Sequence, residues 1–177
     1  MKKHSHSVRQ GQLLLILLFM TGCTPRMGTY TYRVVLDDAL RDSNTGMMPS
    51  IEVDFIGVQE TEIDLWLSQD IDKYLKPGNV LRANAVRHTM PFTNEQSETQ
   101  HLAADADIWQ RWKSTGARNM FIIASIPLDT DQFGDGVDPR QLVLPLDKFR
   151  WDEDKTIEIL VKPSGIVCQT AMKSKKE

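Results

Sequence analysis

The sequence is short of the residues that mark several protein classes. Two cysteines in 177 residues are too few for a disulfide framework, and 10 glycines with 8 prolines exclude a collagen-like or low-complexity chain. The longest apolar run, Leu13 to Met20, is eight residues, whereas a bilayer-spanning helix needs roughly 20. A polytopic membrane protein is therefore excluded. Lys and Arg total 21 against 24 Asp and Glu, a net charge of -3, so the basic surplus of a nucleic-acid binder is missing. What is present, 41% hydrophobic and 25% charged residues, suits one soluble domain with its own core.

The first residues read as an address. Lys2, Lys3 and Arg9 precede the run Leu13-Leu14-Leu15-Ile16-Leu17-Leu18-Phe19-Met20, and the small residues Thr21 and Gly22 lead directly to Cys23. A basic start, a short apolar stretch and small residues are the parts of a secretory signal peptide. Phe19-Met20-Thr21-Gly22-Cys23 resembles the lipobox of bacterial lipoproteins, with Met20 where Leu is commoner. That resemblance implies cleavage before Cys23 and acylation of its thiol. One acyl chain binds a bilayer only marginally, so two or three on one residue make an anchor. Thr24, a residue other than Asp after the cysteine, implies delivery to the outer membrane, facing the periplasm. The expected organisation is a signal peptide over 1–22, a lipidated tether over 23–29, one domain over 30–171 and a disordered tail over 172–177. Removing residues 1–22, with Lys2, Lys3 and Arg9, leaves 155 residues and moves the net charge from -3 to -6.

The rest of the chain is mostly strand-like. Tyr30, Tyr32, Val34 and Leu36 alternate with Thr31, Arg33 and Val35, and Ile51-Glu52-Val53-Asp54-Phe55 alternates again, the period of a half-buried strand. Ile63, Trp66, Leu67, Ile71, Tyr74 and Leu75 recur at helical spacing up to Pro77-Gly78, with Thr61 and Asp64 approximating a capping box. Val80 to Met90 predicts a further strand, and polar Asn94 to Gln100 a loop. Asp105 is placed to cap a second helix carrying Ile108, Trp109 and Trp112, ended by Gly116. Met120 to Ile126 predicts a central strand. Leu142, Leu144 and Leu146 predict an edge strand beside Pro145. Ile157, Ile159 and Val161 pair through Pro163-Ser164-Gly165 with Ile166 to Cys168 as a hairpin. About seven strands with two inserted helices, lacking regular strand–helix alternation, predict an antiparallel β-sandwich; the alternative is an α+β fold.

Candidate chemistry is sparse. Asp129, Asp131, Asp135 and Asp138 surround Gly134 and Gly136, and oxygen-rich loops with glycine turns can hold calcium. Phe133 and Arg140 or Leu142 stand where ligands belong, so a solvated turn is the preferred reading and no cofactor is expected. His88, His101 and Cys168 lack the close spacing of zinc ligands. Cys168 is the thiol left once Cys23 is acylated, and reads as a small core residue. Trp109 and Trp112, three apart, read as a core-facing pair. No nucleophile elbow, phosphate-binding glycine loop or His-Glu-x-x-His run occurs.

From Val34 to Leu75 the order of features resembles the outer-membrane lipoproteins of type VI secretion systems. Those begin with a lipobox and tether, then a strand, an Asn–Gly–Pro connection, a second strand and a helix. The corresponding residues here are Asn44, Gly46 and Pro49, then Ile51 to Phe55, then the segment holding Trp66 and Leu67. The resemblance implies a small sandwich with added helices and no enzymatic activity. It also implies an inner-membrane partner whose periplasmic part is bound through a loop between early strands. On that basis Ser43 to Ser50, and within it Asn44, Thr45, Gly46, Met47 and Met48, form the expected partner-binding loop. The extended 129–138 loop and the Trp109 helix depart from the family. A glycan- or ligand-binding lipoprotein and an envelope hydrolase using His88 or His101 are the other classes left open.

Overall fold

The computed structural model describes residues 27–94, 97–128, 137–152 and 156–174. Among them are eight strands in two four-stranded sheets. The first sheet contains β1 (Tyr32–Leu36), β4 (Thr99–Leu102), β7 (Ile157–Lys162) and β8 (Gly165–Cys168), in the order β4-β1-β7-β8. The second contains β2 (Ile51–Val58), β3 (Arg87–Phe92), β5 (Asn119–Ala124) and β6 (Gln141–Pro145), in the order β3-β2-β5-β6. Neighbours run antiparallel except β1 and β7, which are parallel, with Tyr32 opposite Ile157 and Leu36 opposite Val161. The expected sandwich is therefore present, rich in antiparallel pairs rather than purely so.

Alternation explains the core. Tyr32, Val34 and Leu36 of β1 and Ile157, Ile159 and Val161 of β7 face Ile51, Val53 and Phe55 of β2 and Met120, Ile122 and Ala124 of β5. The second sheet is apolar on its other face too. Ile56, Val58, Phe121 and Ile123 pack there under Trp66, Ile71 and Tyr74, so β2 and β5 are buried on both sides. Three short helices supply that cover: α1 (Ile63–Leu67), α2 (Ile71–Leu75) and α3 (Val80–Asn84). The molecule thus has three layers, helices on sheet on sheet. A fourth helix, α4 (Ile108–Ser114), closes one end of the sandwich. Its Trp109 stacks on Tyr32 at 6.1 Å and meets Trp112 edge-on at 5.0 Å, so the tryptophan pair faces the core as its spacing predicts.

Several boundaries differ from expectation, each for a local reason. The 63–75 segment is two helices, because Asp70 accepts the Lys73 N–H at 3.0 Å and restarts the helix after a break. The capping box is made by Gln59 and Glu62 rather than Thr61 and Asp64. Val80 to Met90 divides into α3, capped by Asn79 at 2.8 Å from the Arg82 nitrogen, and β3. Thr99 and Gln100 are in β4 rather than in a loop. The residue preceding α4 is Asp107, not Asp105, and its side chain makes no capping bond. Met27 and Gly28, expected in the tether, are tied to the domain: Met27 bridges Asp147, and the Gly28 N–H donates to the Leu146 carbonyl at 2.7 Å. Lys173, expected in a disordered tail, donates its N–H to the Arg150 carbonyl at 2.8 Å.

Strand directions give the sandwich two distinct ends. At one lie Met27, α4 and the 147–152 turn. At the other lie the connections that follow β1, β3 and β5.

Candidate protein-interaction site

The connection from β1 to β2 is a compact loop organised by Asp42. Its Oδ1 accepts the Asn44 N–H at 3.0 Å, the Thr45 N–H at 2.8 Å and the Thr45 hydroxyl at 3.0 Å. These bonds, led by the Thr45 N–H, hold the Asp42 carboxyl below its ordinary range. The Gly46 N–H donates to the Asp42 carbonyl at 2.8 Å, and Asp42 N–H donates to the Met47 carbonyl at 2.9 Å. Gly46 turns the chain at φ +68°, the left-handed region that glycine enters without steric cost. Arg41 clamps the loop from outside, donating to the Gly46 carbonyl at 3.1 Å and pairing with Glu98 and Asp38.

The two methionines diverge. Met47 is 55% exposed, while Met48 is 6% exposed and packs into the sandwich core. Of the expected partner-binding residues, Asn44, Thr45, Gly46 and Met47 are therefore on the surface and Met48 is not. Met47 stands between two shallow grooves. One, of about 520 Å³, is lined by Leu40, Thr45, Met47, Pro49, Asn94 and Pro127. The other, of about 260 Å³, is lined by Arg41, Gly46, Met47, Thr93, Asn94 and Glu98. An exposed, flexible thioether between grooves suits a protein contact. Leu40, Arg41, Asn94 and Glu98 were not legible as part of this surface, since Asn94 and Glu98 arrive from the β3–β4 connection. Asp42 was legible, because Asp followed by Asn, Thr and Gly is turn chemistry.

The other candidates separate. Asp129, Asp131 and Asp135 lie outside the described residues, as does Cys23. Asp138 is taken by Arg140, whose guanidinium meets both of its oxygens at 2.6 to 3.2 Å and reaches Asp72 at 2.5 Å. Arg140 is only 3% exposed, so this pairing fastens the start of β6 to α2. Among the described residues no three His, Cys, Asp or Glu side chains converge as a metal site. His88 lies on β3 of one sheet and His101 on β4 of the other, while Cys168 is on β8 at the far edge from β4. Burial lowers the His88 pKa and raises that of the Cys168 thiol, which donates to the Thr170 carbonyl at 3.3 Å. Among the described residues no helix is long and apolar enough to cross a membrane.

No protein-family model matches the chain, and no curated protein matches its sequence. Solved structures do. A chain in the structure described as "T6SS protein TssM C-terminal domain (869-1107) from EAEC" superposes with TM-score 0.53 at 14% identity, over 79% of this chain and 99% of that one. One in a "Type VI membrane complex" superposes with TM-score 0.51 at 14% identity, over 81% and 98%. The chain shares its fold with components of type VI secretion membrane complexes. The Serratia marcescens Lip protein, a membrane-bound component of the type VI secretion system, aligns over 84% of this chain and 99% of its own. Its TM-score is 0.46 at 16% identity. The likeness of fold at TM-scores of 0.53 and 0.51 spans about four-fifths of this chain.

Proposed function

We propose that the protein is a lipid-anchored envelope component of a type VI secretion membrane complex, non-enzymatic and without a cofactor. In this reading acylated Cys23 holds it to the outer membrane. The 43–50 loop binds the periplasmic part of an inner-membrane partner. The observation that carries the reading is the fold shared with the structure of a type VI secretion protein's C-terminal domain and with a chain of a type VI membrane complex. Two features of the molecule agree with it. Met47 is exposed between grooves, on a loop whose backbone is fixed by Asp42 and Arg41. That loop lies at the end of the sandwich away from Met27, so an anchor on the N-terminal side leaves it pointing from the membrane.

The test is capture of the periplasmic part of the inner-membrane component of a type VI secretion complex from the same organism. Met47→Asp, or replacement of Thr45, Gly46 and Met47 together, should weaken capture at least tenfold, about 1.4 kcal/mol. For Met47→Asp the denaturation midpoint should stay unchanged, because Met48 and the core are left intact; the triple replacement also strains the turn at Gly46, whose φ is +68°. Undiminished capture by both variants would refute the loop assignment.

A further inference from the structure

Phe149 is an exposed aromatic ring at the N-terminal end of the sandwich. It is 66% exposed, whereas every other described Phe, Tyr and Trp is buried. Its position is fixed rather than loose. The Phe149 N–H donates to Asp147 Oδ1 at 3.0 Å, and Lys148 Nζ stands 5.0 Å from the ring centre. Arg150 locks the turn to the C-terminal segment: its Nε donates to the Lys173 carbonyl at 2.9 Å, and its Nη2 touches Met172 Sδ at 3.8 Å. Met172 is itself 47% exposed. Two large apolar side chains thus project from one hydrogen-bonded knot, flanked by Lys148, Arg150 and Lys173.

We propose that this knot is a membrane-contacting face, with Phe149 and Met172 entering the headgroup region of the bilayer that carries the acylated Cys23. The proposal rests on the lipid-anchor reading above. Where the chain leaves the structure selects the occupant. Met27 is bridged to Asp147, two residues from Phe149. Cys23 lies four residues before Met27, and an extended chain spans at most about 3.6 Å per residue. The acylated residue therefore stays within roughly 14 Å of this bridge, and this end of the domain must sit close to the headgroups. A rigid aromatic and a thioether gain from burial at that interface. The Lys148 stem can lie along the ring with its ammonium in water. Attraction to anionic lipid is not the driving force, since Asp147 and Asp152 sit among the cations and Asp152 pairs with Lys173 at 2.7 Å.

The test uses the full chain, purified from membranes and reconstituted in phosphatidylethanolamine–phosphatidylglycerol vesicles. In a Cys168→Ser background an environment-sensitive fluorophore is attached to Phe149→Cys, to Met172→Cys or, as the distal reference, to Met47→Cys. The labels at 149 and 172 should shift to shorter wavelength and be quenched by headgroup-depth spin-labelled lipid, while the label at 47 stays in water. Mass analysis of Cys23 reports the anchor separately. An acylated, vesicle-bound protein with all three labels in water overturns the membrane face and leaves the anchor standing. Labels at 149 and 172 that shift but escape lipid quenching indicate a protein contact and overturn it as well. An unacylated Cys23 would take the fluorophore itself, so in that case Cys23→Ser is added: lipid-quenched labels at 149 and 172 then remove the anchor and keep the face, and with unquenched labels both fall.

Discussion

Asp54 is the residue whose loss the fold would feel most. It projects from β2 toward the helical layer and is 1% exposed, where an unpaired carboxylate would be costly. Its oxygens are fully engaged: Arg82 Nε donates at 2.8 Å, the Tyr74 hydroxyl at 2.9 Å, the Thr89 hydroxyl at 2.5 Å and Arg87 Nη1 at 3.4 Å. Burial pushes the Asp54 pKa up, but the bonds from Arg82 and Thr89 outweigh it, and the carboxyl sits below its ordinary value. Removing one member of such a set typically costs about 3–5 kcal/mol. Arg82 keeps Glu52 at 2.5 Å, so Asp54→Ala should cost near the lower end, read from urea denaturation at neutral pH. Because the folded pKa lies below the unfolded one, this contribution is complete above the ordinary carboxylate range. It is lost as pH falls through the folded value. Wild type should therefore lose stability below about pH 4, and Asp54→Asn should remove that part of the acid sensitivity.

At the scale of elements, the contact of β2 with α4 depends on a missing side chain. A Cβ placed on Gly57 would lie 2.5 Å from Trp112 Cγ and 2.6 Å from Cδ1. Trp112 is fully buried and its Nε1 donates to the Val86 carbonyl at 2.6 Å, so the indole has no room to yield. Gly57→Ala should destabilise the protein by about 1–3 kcal/mol through overpacking, lowering the thermal midpoint without altering capture of a partner per folded molecule. The elements themselves were unevenly legible in the sequence. β1, β2, β5 and the β7–β8 hairpin carry clean alternation or unbroken apolar runs, and each was expected within a few residues. α3 was not, because five residues make too little helix for a period to register. β4 was not, because of its four residues Thr99, Gln100 and His101 are polar and only Leu102 is both apolar and buried. The Asp54 cluster was hidden for a different reason. Alternation placed Asp54 on a solvent face, and nothing local indicates that helices from residues 63–84 cover that face. In the interaction loop the turn chemistry of Asp42 to Gly46 was readable. The inward rotation of Met48 was not, since a one-residue change of face leaves no composition signal.

At the scale of the whole molecule, the two ends are assigned different duties, one toward a membrane and one toward a partner. Their independence is testable. A flexible Gly/Ser spacer of about ten residues between Cys23 and Met27 lengthens the reach without touching any strand. Such a variant should stay in the membrane fraction, melt at the wild-type temperature and still capture the partner domain. A fluorophore at residue 149 should then lose its quenching by lipid. Unchanged quenching would mean that the Phe149 knot seeks the bilayer by itself rather than because the tether is short.

The parallel pairing of β1 with β7 bears on how the chain acquires its structure in time. Tyr32, among the first residues of the domain, finds its neighbour Ile157 only after five other strands have been made. β1 meets β4 earlier, but two strands alone are marginal in water. The first sheet therefore cannot close until nearly the whole polypeptide has emerged. Long-range pairing of this kind slows folding, and it delays completion of the first sheet until the C-terminal strands have been made. A polypeptide that must be threaded through a narrow channel before it folds benefits from that delay.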